Sequence, residues 1–447
     1  MTLERLIRFA PRVSALFTPG ESMSDNAMIS VYPFGDELYA FTESPVIHRF
    51  DLKTLDTLER VNVSKYVGIV NHTSHPHVMK DGTVYNMGMS LTVTGPHYSI
   101  IKFPAAYDIA SAESADGFPS RRLSMFELAS IMGSVPARWP LQPAYMHTFG
   151  ITENYFVIVE QPLSISIPTM MQTHLLNDPM GASFKWYQDQ RTHILLMRRK
   201  DGQLFKTFLA DAFFYLHIIN SYEEDDHLII DICCYKDAAM LDCMYVDALM
   251  NIQKNPDYAK MFRGRPLRFV LPLKDVSSDT VPETNLVTLQ GAKATAYQLS
   301  DGKILSQPEL LCDLGCETPR IYYEKYLGRS YRYFYAISSD VDADNPGTLI
   351  KVDIKTCTRF TWCEENVYPS EPIFVPSPHP KNEDDGVVLS ALVWGKGLER
   401  EVGILVLDAS TWRELSRATF TTPSPVPKCL HGWFTEDANL TRRSSVF

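Results

Sequence analysis

A short turn motif that recurs three times places the strongest constraint on how this chain can fold. In each copy an apolar residue and Asp end one β-rich run, a four-residue turn carries Thr, and the next run follows; the copies are Phe50–Asp56, Val352–Thr358 and Leu407–Arg413. Repeated strand–turn units over several hundred residues predict a β-propeller. No run of Pro, Gly or Ser marks a linker, so residues 1–447 are predicted to form one all-β domain.

The composition suits a globular protein and argues against nucleic acid as a partner. Of the 447 residues, 45% are hydrophobic and 21% are charged, with a formal net charge of −11 and no run of Lys and Arg. The eight cysteines are irregularly spaced, as expected of reduced thiols in a cytosolic protein. No apolar run reaches the roughly 18–20 residues that span a bilayer. We therefore expect a soluble, cytoplasmic chain.

Four histidines lie far apart, each in its own short polar motif on a strand-like segment: His75, His147, His217 and His431. Imidazole is the commonest protein ligand for iron, copper and zinc. Four ligands from four distant strands meet only where those strands converge on an axis, so this set predicts a metal centre in a radial β-fold. A single histidine is more often a core or surface residue, and His77 remains an alternative to His75 because both share one strand face.

Three glutamates beside prolines strengthen the metal hypothesis: Glu43, Glu317 and Glu371. A metal-bound imidazole usually donates its outer N–H to a carboxylate, which fixes the ring and its basicity. The alternative interpretation of these glutamates is turn residues or surface ion pairs.

Helices are predicted to be few. Residues 122–132 are one candidate, and residues 237–250, which are rich in Ala, Leu and Met, are a stronger one. As insertions between blades, they would form a cap at one end of the propeller.

Several longer motifs resemble the carotenoid cleavage oxygenases, a family that includes the animal carotenoid dioxygenases and the retinyl ester isomerohydrolase of the visual cycle. The resemblance runs from about residue 18 to the C-terminus, and the segments around residues 20–37 look most like the insect carotenoid isomerooxygenases. The collinear matching segments are Thr73–His77, Asp81–Asn86, Tyr145–Tyr155, Ile219–Glu223, Tyr368–Val375 and Glu383–Ser390.

The resemblance implies a seven-bladed propeller with a helical cap over an axial iron site. It implies Fe(II), one per chain, held by His75, His147, His217 and His431, with Glu43, Glu317 and Glu371 behind them. It also selects His75 over His77. Family members usually have a longer N-terminal region that supplies propeller strands. We therefore expect part of this region to be missing, with an exposed strand edge that puts the activity of this chain in doubt.

The activity implied is cleavage of a carotenoid, β-carotene or zeaxanthin, at the central 15,15′ double bond with dioxygen as co-substrate. The products are retinal-type aldehydes, one half isomerised to the 11-cis form as visual chromophore. The alternatives are an O₂-independent retinyl ester isomerohydrolase, an eccentric-cleavage dioxygenase and a binding propeller without turnover. Aromatic residues near the ligands are predicted to line the substrate site: Tyr145, Phe149, Phe374 and Trp433.

Carotenoids reside in membranes, so the substrate entrance is expected to touch one. Residues 162–176 are apolar and carry no acidic or basic side chain other than His174. The resemblance favours a peripheral membrane contact here through Ile165, Ile167 and Met171, and the alternative is a buried cap helix.

Overall fold

The computed structural model describes residues 19–22, 24–105, 123–176, 178–251, 254–276, 284–342 and 347–435. The described residues form an all-β propeller in which sheets of four to six antiparallel strands follow one another around an axis. One exception to the antiparallel pairing is the parallel contact between Leu204–Ala210 and Ile304–Gln307.

Six blades are present, numbered here in chain order. Blade 1 contains Ser30–Phe34, Glu37–Phe41, Val46–Phe50 and Thr57–Asn62. Blade 2 contains Asn71–His72, His77–Val78, Val84–Thr92, Gly95–Phe103 and Ser130–Pro136. Blade 3 contains Gly150–Ile151, Tyr155–Glu160, Thr192–Arg198, Leu204–Ala210, Ile304–Gln307 and Thr295–Gln298.

Blades 4 to 6 complete the ring. Blade 4 contains Phe214–Glu224, His227–Tyr235, Arg265–Pro272 and Glu309–Leu310. Blade 5 contains Glu317–Arg320, Tyr333–Ile337, Leu349–Asp353 and Thr358–Trp362. Blade 6 contains Val367–Pro369, Ile373–Pro376, Gly386–Trp394, Glu401–Asp408 and Glu414–Thr421. A separate two-stranded ribbon pairs Leu163–Ile165 with Phe184–Trp186.

The expectation of seven blades is wrong for the described part of the chain, which has six. One reason lies in blade 3, which has six strands rather than four because it takes up Thr295–Gln298 and Ile304–Gln307. A strand pattern in the sequence indicates how many strands form but not how they divide among sheets.

The repeated turn motif joins the third and fourth strands of blade 1 and the last two strands of blades 5 and 6. In each copy the Asp carboxylate accepts the backbone N–H groups two and three residues ahead; the three acceptors are Asp51, Asp353 and Asp408. In each copy the residue four positions after Asp adopts a left-handed φ of 56–62°; these residues are Leu55, Cys357 and Trp412. The motif is therefore an Asp-capped turn repeated at equivalent blade positions, as predicted.

Alternate side chains of the strands pack into the cores between successive blades. In the strand His227–Tyr235, Leu228 and Ile230 point into the core shared with blade 3, whereas Ile229 and Cys233 point into the core shared with blade 5. Equivalent apolar cores lie between blades 1 and 2, 2 and 3, and 5 and 6. Because side chains alternate along a strand, one buried apolar strand serves two blade interfaces.

The segment 422–435 leaves blade 6 and runs toward blade 1. A side chain at Gly432 would lie 3.0 Å from Ile373 of blade 6. The next residue, Trp433, packs on Tyr32 of blade 1, with ring centroids 5.3 Å apart. This irregular segment therefore lies between the first and last described blades.

The described helices are short, as expected of insertions. The α-helices are Pro19–Ser22, Ile167–Leu176, Val246–Asn251, Tyr258–Met261 and Tyr323–Tyr326. The 3₁₀ helices are Val63–Lys65, Met180–Ser183 and Ala239–Met244.

Neither helix prediction holds as made. Arg122 lies outside the described residues, and the rest of that segment forms turns and then the strand Ser130–Pro136, which pairs with Gly95–Phe103. Tertiary pairing overrides the local preference there. The segment 237–250 does become helical, but Tyr245 has an extended backbone and divides it into a 3₁₀ helix and a separate α-helix.

No described helix is long and apolar enough to cross a bilayer. Residues 1–18 lie outside the described residues, so the predicted N-terminal shortening and its exposed strand edge remain predictions.

A buried ion pair gives a direct test of the core of blade 4. Asp231 is fully buried, accepts two 2.8 Å hydrogen bonds from Arg268 on the neighbouring strand, and accepts a 2.6 Å bond from Tyr331. The change Asp231→Ala should lower the free energy of unfolding by about 3–5 kcal/mol, because it leaves the guanidinium buried without its counter-charge. Urea unfolding followed by circular dichroism measures this loss.

The control is the exposed pair Arg198–Asp201, whose side chains are both more than 40% exposed. The change Asp201→Ala should cost less than about 1 kcal/mol. Equal losses in the two variants would contradict the assignment of Asp231 as a core anchor.

Candidate metal centre

The four predicted histidines lie at or beside the first strands of their blades or on the segment that follows blade 6. His75 follows Asn71–His72 in blade 2, His147 precedes Gly150–Ile151 in blade 3, and His217 lies within Phe214–Glu224 of blade 4. His431 lies in the irregular segment 422–435.

Two local irregularities of the strands help to place the site residues. The strand that carries His217 changes register between Tyr215 and Ile218 and again before Asn220. The strand that carries Glu317 also changes register, and Thr318 has a left-handed φ of 45°. Bulges of this kind turn a side chain away from the regular alternation. They explain how these two residues reach the axis from otherwise regular blades.

The four imidazoles converge. Coordinating nitrogens of His75, His217 and His431 lie within 4.8 Å of one another, and Nε2 of His147 lies 3.0 Å from Nε2 of His75. The ring centroid of His75 lies 4.6 Å, 5.0 Å and 4.7 Å from the ring centroids of His147, His217 and His431, respectively. All four side chains are largely buried, so the structure brings the whole predicted histidine set together.

Each of three histidines directs its Nδ1 to one of the predicted glutamates. The distance is 2.5 Å from His147 to Glu43, 2.5 Å from His217 to Glu317, and 2.8 Å from His431 to Glu371; His75 has no such carboxylate partner among the described residues. An imidazole that donates its Nδ1 proton presents an unprotonated Nε2. The glutamates therefore orient three rings with their electron pairs directed inward.

An outer layer of donors holds the carboxylates. The Tyr145 hydroxyl donates to both oxygens of Glu43 at 2.8 and 2.9 Å. Glu317 accepts from the Tyr235 hydroxyl at 3.0 Å and from the Thr318 backbone N–H at 2.8 Å. Glu371 accepts from Nη2 of Arg320 at 2.9 Å and from the Gly432 backbone N–H at 3.0 Å.

The buried setting favours neutral histidine and ionised glutamate. Burial, followed by the neighbouring imidazoles, holds the pKa of His75 well below its usual value. Burial alone would raise the pKa of Glu317, but His217 lowers it below the usual value. For Glu371, Arg320 and His431 overcome the effect of burial and lower the pKa to about 2. Neutral imidazole is the ligand form, so these directions suit metal binding.

The donor set fits a metal ion. Nε2 of His217 is buried and has no hydrogen-bond partner in the described part of the chain. A buried polar atom without a partner is costly, and a metal ion would satisfy it. All-imidazole ligation suits a divalent iron, copper or zinc ion rather than Mg²⁺ or Ca²⁺.

His77 occupies a different place from His75. Its Nε2 lies 2.9 Å from the Phe149 carbonyl oxygen and its Nδ1 lies 3.1 Å from the Tyr323 hydroxyl. Burial lowers its pKa to about 4, so it is a neutral, fully hydrogen-bonded side chain.

A cavity of about 710 Å³ is lined by apolar side chains that include Leu163, Phe184, Trp186 and Leu241, and by the polar side chains of Gln188, Asp237 and Asp242; none of the four histidines lines it. The Phe184 ring packs on Tyr145 at 5.4 Å, and the Tyr145 hydroxyl lies 2.9 Å from Nδ1 of His147, so Tyr145 connects this wall to the site. Binding cavities for small apolar ligands span roughly 300–1,000 Å³.

The structure does not bring the four predicted substrate aromatics together on this cavity. Tyr145 contacts Glu43 and His147, and Phe149 lines a small cavity of about 80 Å³ at the metal centre, together with His75, His217 and His431. Phe374 and Trp433 together line a third cavity of about 370 Å³; Phe374 also stacks on Tyr335 at 5.5 Å, and Trp433 packs on Tyr32.

Sequence reasoning missed the outer donors Tyr235 and Arg320 and the cavity wall. The signal for Arg320 was its position three residues after Glu317 in Glu317–Arg320. For Tyr235 and the wall no motif marks the residues, because they come from separate elements that meet only in the fold.

The chain is similar to several known proteins. The family profile described as retinal pigment epithelial membrane protein matches residues 9–436. The chain is 56% identical to a carotenoid isomerooxygenase of Galleria mellonella, covering 97% of this chain and 77% of that protein. It is 47% identical to a carotenoid isomerooxygenase of Drosophila melanogaster (96% and 76% covered) and 35% identical to a β,β-carotene 15,15′-dioxygenase of Gallus gallus (97% and 79%).

Solved structures with the same fold include a point mutant of the Synechocystis apocarotenoid oxygenase, with a TM-score of 0.65, 18% identity, and coverage of 92% of this chain and 74% of that one. A cobalt-substituted form of the Synechocystis enzyme matches with a TM-score of 0.64 at 19% identity, covering 91% of this chain and 73% of that one. The profile match over most of the chain and the close relatives show that this protein belongs to the family of the carotenoid oxygenases and the retinal pigment epithelial membrane protein.

Proposed function

We propose that this protein is an iron(II)-dependent oxygenase that cleaves a carotenoid at its central 15,15′ double bond and isomerises one product half to the 11-cis form. The observation that carries the proposal is the convergence of His75, His147, His217 and His431, three of them hydrogen-bonded to glutamates. The names of the insect and chicken relatives support the substrate class.

In this proposal the four imidazoles hold Fe(II), which supplies the activation of dioxygen. Cleavage breaks the central carbon–carbon double bond and places one oxygen atom of O₂ on each carbon, so two aldehydes form without another reductant. The glutamates orient three of the histidines, and the buried surroundings of the site limit access of bulk water. The apolar wall that contains Phe184 and Trp186 suits the end of a long polyene.

The proposed membrane contact is the cap, defined here as two segments that border the large cavity, residues 163–186 (with 177 outside the described residues) and residues 237–251. Of the residues expected to form it, Ile165 and Ile167 are half-buried, whereas Met171 is 40% exposed. Further exposed apolar side chains belong to the two cap segments on either side of the large cavity; they are Leu176, Met180, Met244, Tyr245, Val246, Leu249 and Met250. An exposed apolar patch at a cavity entrance suits extraction of an apolar substrate from a bilayer.

Product analysis tests the reaction. Fe(II)-loaded protein should convert β-carotene or zeaxanthin in detergent into twenty-carbon aldehydes under air but not under argon, with part of the product 11-cis, as resolved by chromatography. Retinol released from retinyl ester under argon would instead support the isomerohydrolase, and aldehydes of unequal length would support eccentric cleavage. His147→Ala should abolish turnover, whereas the exposed His379→Ala should not.

Metal binding tests the site independently of turnover. Replacing Glu317 with Gln should weaken Fe(II) binding about 10–100-fold, because the amide nitrogen would face the donors His217, Tyr235 or Thr318. Chelator competition with metal analysis measures the affinity, and the exposed Glu399→Gln serves as the matched control. Equal affinities of the two variants would argue against a metal held by His217.

Liposome flotation tests the membrane contact. The double change Met171→Ser and Met250→Ser should release the protein from liposomes by removing exposed apolar area from the cap. The matched double change Leu52→Ser and Leu55→Ser lies on a turn at the end of blade 1 opposite the Glu43 turn, and should leave binding intact. Unchanged flotation of the cap variant would refute the contact.

A further inference from the structure

Of the other candidate ligands, His217 lies within a blade strand, and His75 and His147 lie two and three residues from one. His431 differs because it lies ten residues beyond the last described strand, Glu414–Thr421. It lies in the irregular segment 422–435, and the hydrogen bonds of a sheet do not fix its backbone. Its position therefore depends on other contacts, and the structure offers one concentrated set of them around Glu371 and Arg320.

Arg320 contacts both Glu371 and the segment that carries His431. Its Nη2 donates to Glu371 Oε2 at 2.9 Å and to the Gly432 carbonyl oxygen at 2.7 Å, and its Nε lies 2.9 Å from Glu371 Oε1. Gly432 in turn donates its backbone N–H to Glu371 at 3.0 Å, and His431 directs Nδ1 to the same carboxylate at 2.8 Å. The guanidinium, the carboxylate and the backbone next to the ligand form one closed network.

Because this network is buried, the loss of any one of its charged groups should be costly. The side chain of Arg320 is 14% exposed and that of Glu371 is 4% exposed. Removal of one partner of a buried, hydrogen-bonded ion pair leaves the other charge unpaired. A planar guanidinium can bridge a carboxylate and a carbonyl in a fixed geometry, which a lysine ammonium cannot reproduce.

Arg320 also completes the charge balance. A divalent metal and the guanidinium together carry three positive charges, which match the three carboxylates Glu43, Glu317 and Glu371. The other two carboxylates are held by uncharged donors, the hydroxyls of Tyr145 and Tyr235 and the Thr318 N–H. Of the three glutamates, Glu371 is therefore the one that is paired with a side-chain cation, Arg320. That cation lies behind the candidate ligand His431, to which Glu371 is hydrogen-bonded.

We propose that Arg320 is a positioning residue that holds His431 in the metal-binding arrangement by clamping Glu371 and the Gly432 carbonyl at once. The same four-residue strand, Glu317–Arg320, then positions two ligands: Glu317 orients His217 directly, and Arg320 orients His431 through Glu371. The inference rests on the metal site of the proposed function and is independent of which carotenoid is cleaved.

The test is Co(II) and Fe(II) affinity of Arg320→Lys and Arg320→Met, measured by chelator competition, with the visible spectrum of the Co(II) form as a report on ligand number. Both variants should bind metal about tenfold more weakly or worse, and the spectrum should shift toward that of His431→Ala. The control Arg417→Met removes a 25%-exposed arginine that pairs with Glu364 and Glu414 in blade 6, and should bind like the wild type.

A role of Arg320 through its charge alone and a role as a clamp predict opposite changes in metal affinity. Loss of the guanidinium charge alone would leave excess negative charge and tighten binding of a cation. Tighter binding by Arg320→Met, or unchanged binding by Arg320→Lys, would therefore overturn the clamp. Arg320→Lys keeps the charge and guards against a Met variant that fails to fold, and circular dichroism and elution volume check the fold of each.

A double-mutant cycle tests whether Arg320 acts through His431. In the His431→Ala background, Arg320→Met should add less than about a twofold further loss of affinity, because the ligand it positions is already absent. A full additional loss would show that Arg320 acts elsewhere and would overturn the proposal. Failure of the wild type itself to bind metal would instead refute the proposed function.

Discussion

The hydrogen bonds from three imidazole Nδ1 atoms to three carboxylates are the interactions on which the rest of this site depends. They set the tautomer and the ring orientation of His147, His217 and His431, and so determine where the inward Nε2 atoms point. A carboxylate that is partly or wholly removed from water needs donors of its own. Tyr235 and Arg320 come from the blades next to the glutamates that they hold, which ties the geometry of the centre to the packing of the blades.

This dependence explains why the blade cores matter to the site. The strand that bears His217 has one neighbour strand, His227–Tyr235, whose side chains alternate between two interblade cores and whose last residue, Tyr235, donates to Glu317 of the next blade. A shift of one blade against the next would therefore change both the apolar packing and the carboxylate that orients His217. The same interblade contacts therefore determine both the stability of the fold and the geometry of the site.

Sequence reasoning captured the parts of this arrangement that repeat or that carry distinctive chemistry. The Asp-capped turns predicted strands of blades 1, 5 and 6, because the same hydrogen bonds from backbone N–H groups to a carboxylate recur at Asp51, Asp353 and Asp408. The histidines and glutamates stood out as polar residues in apolar company, and the family resemblance separated His75 from His77. The structure brings these four histidines and three glutamates together.

What the sequence did not reveal depends on pairing across long distances. Residues 130–132 have a helical preference in sequence, but in the structure they form a strand that pairs with Gly95–Phe103. The number of blades depends on the pairing of Leu204–Ala210 with Ile304–Gln307, which extends blade 3. Arg320 is inconspicuous in sequence because its two acceptors come from Glu371 and from the backbone at Gly432.

The position of His431 shows what an irregular ligand-bearing segment requires. A ligand on a strand inherits its direction from the sheet, whereas a ligand on a coil has to be held by contacts near its own backbone. Trp433 against Tyr32 anchors the segment to blade 1, and Arg320 with Glu371 anchors it to blades 5 and 6. These contacts tie residues 431–433 both to the first described blade and to the last two. The metal centre is thus also a point at which the first and last blades are joined.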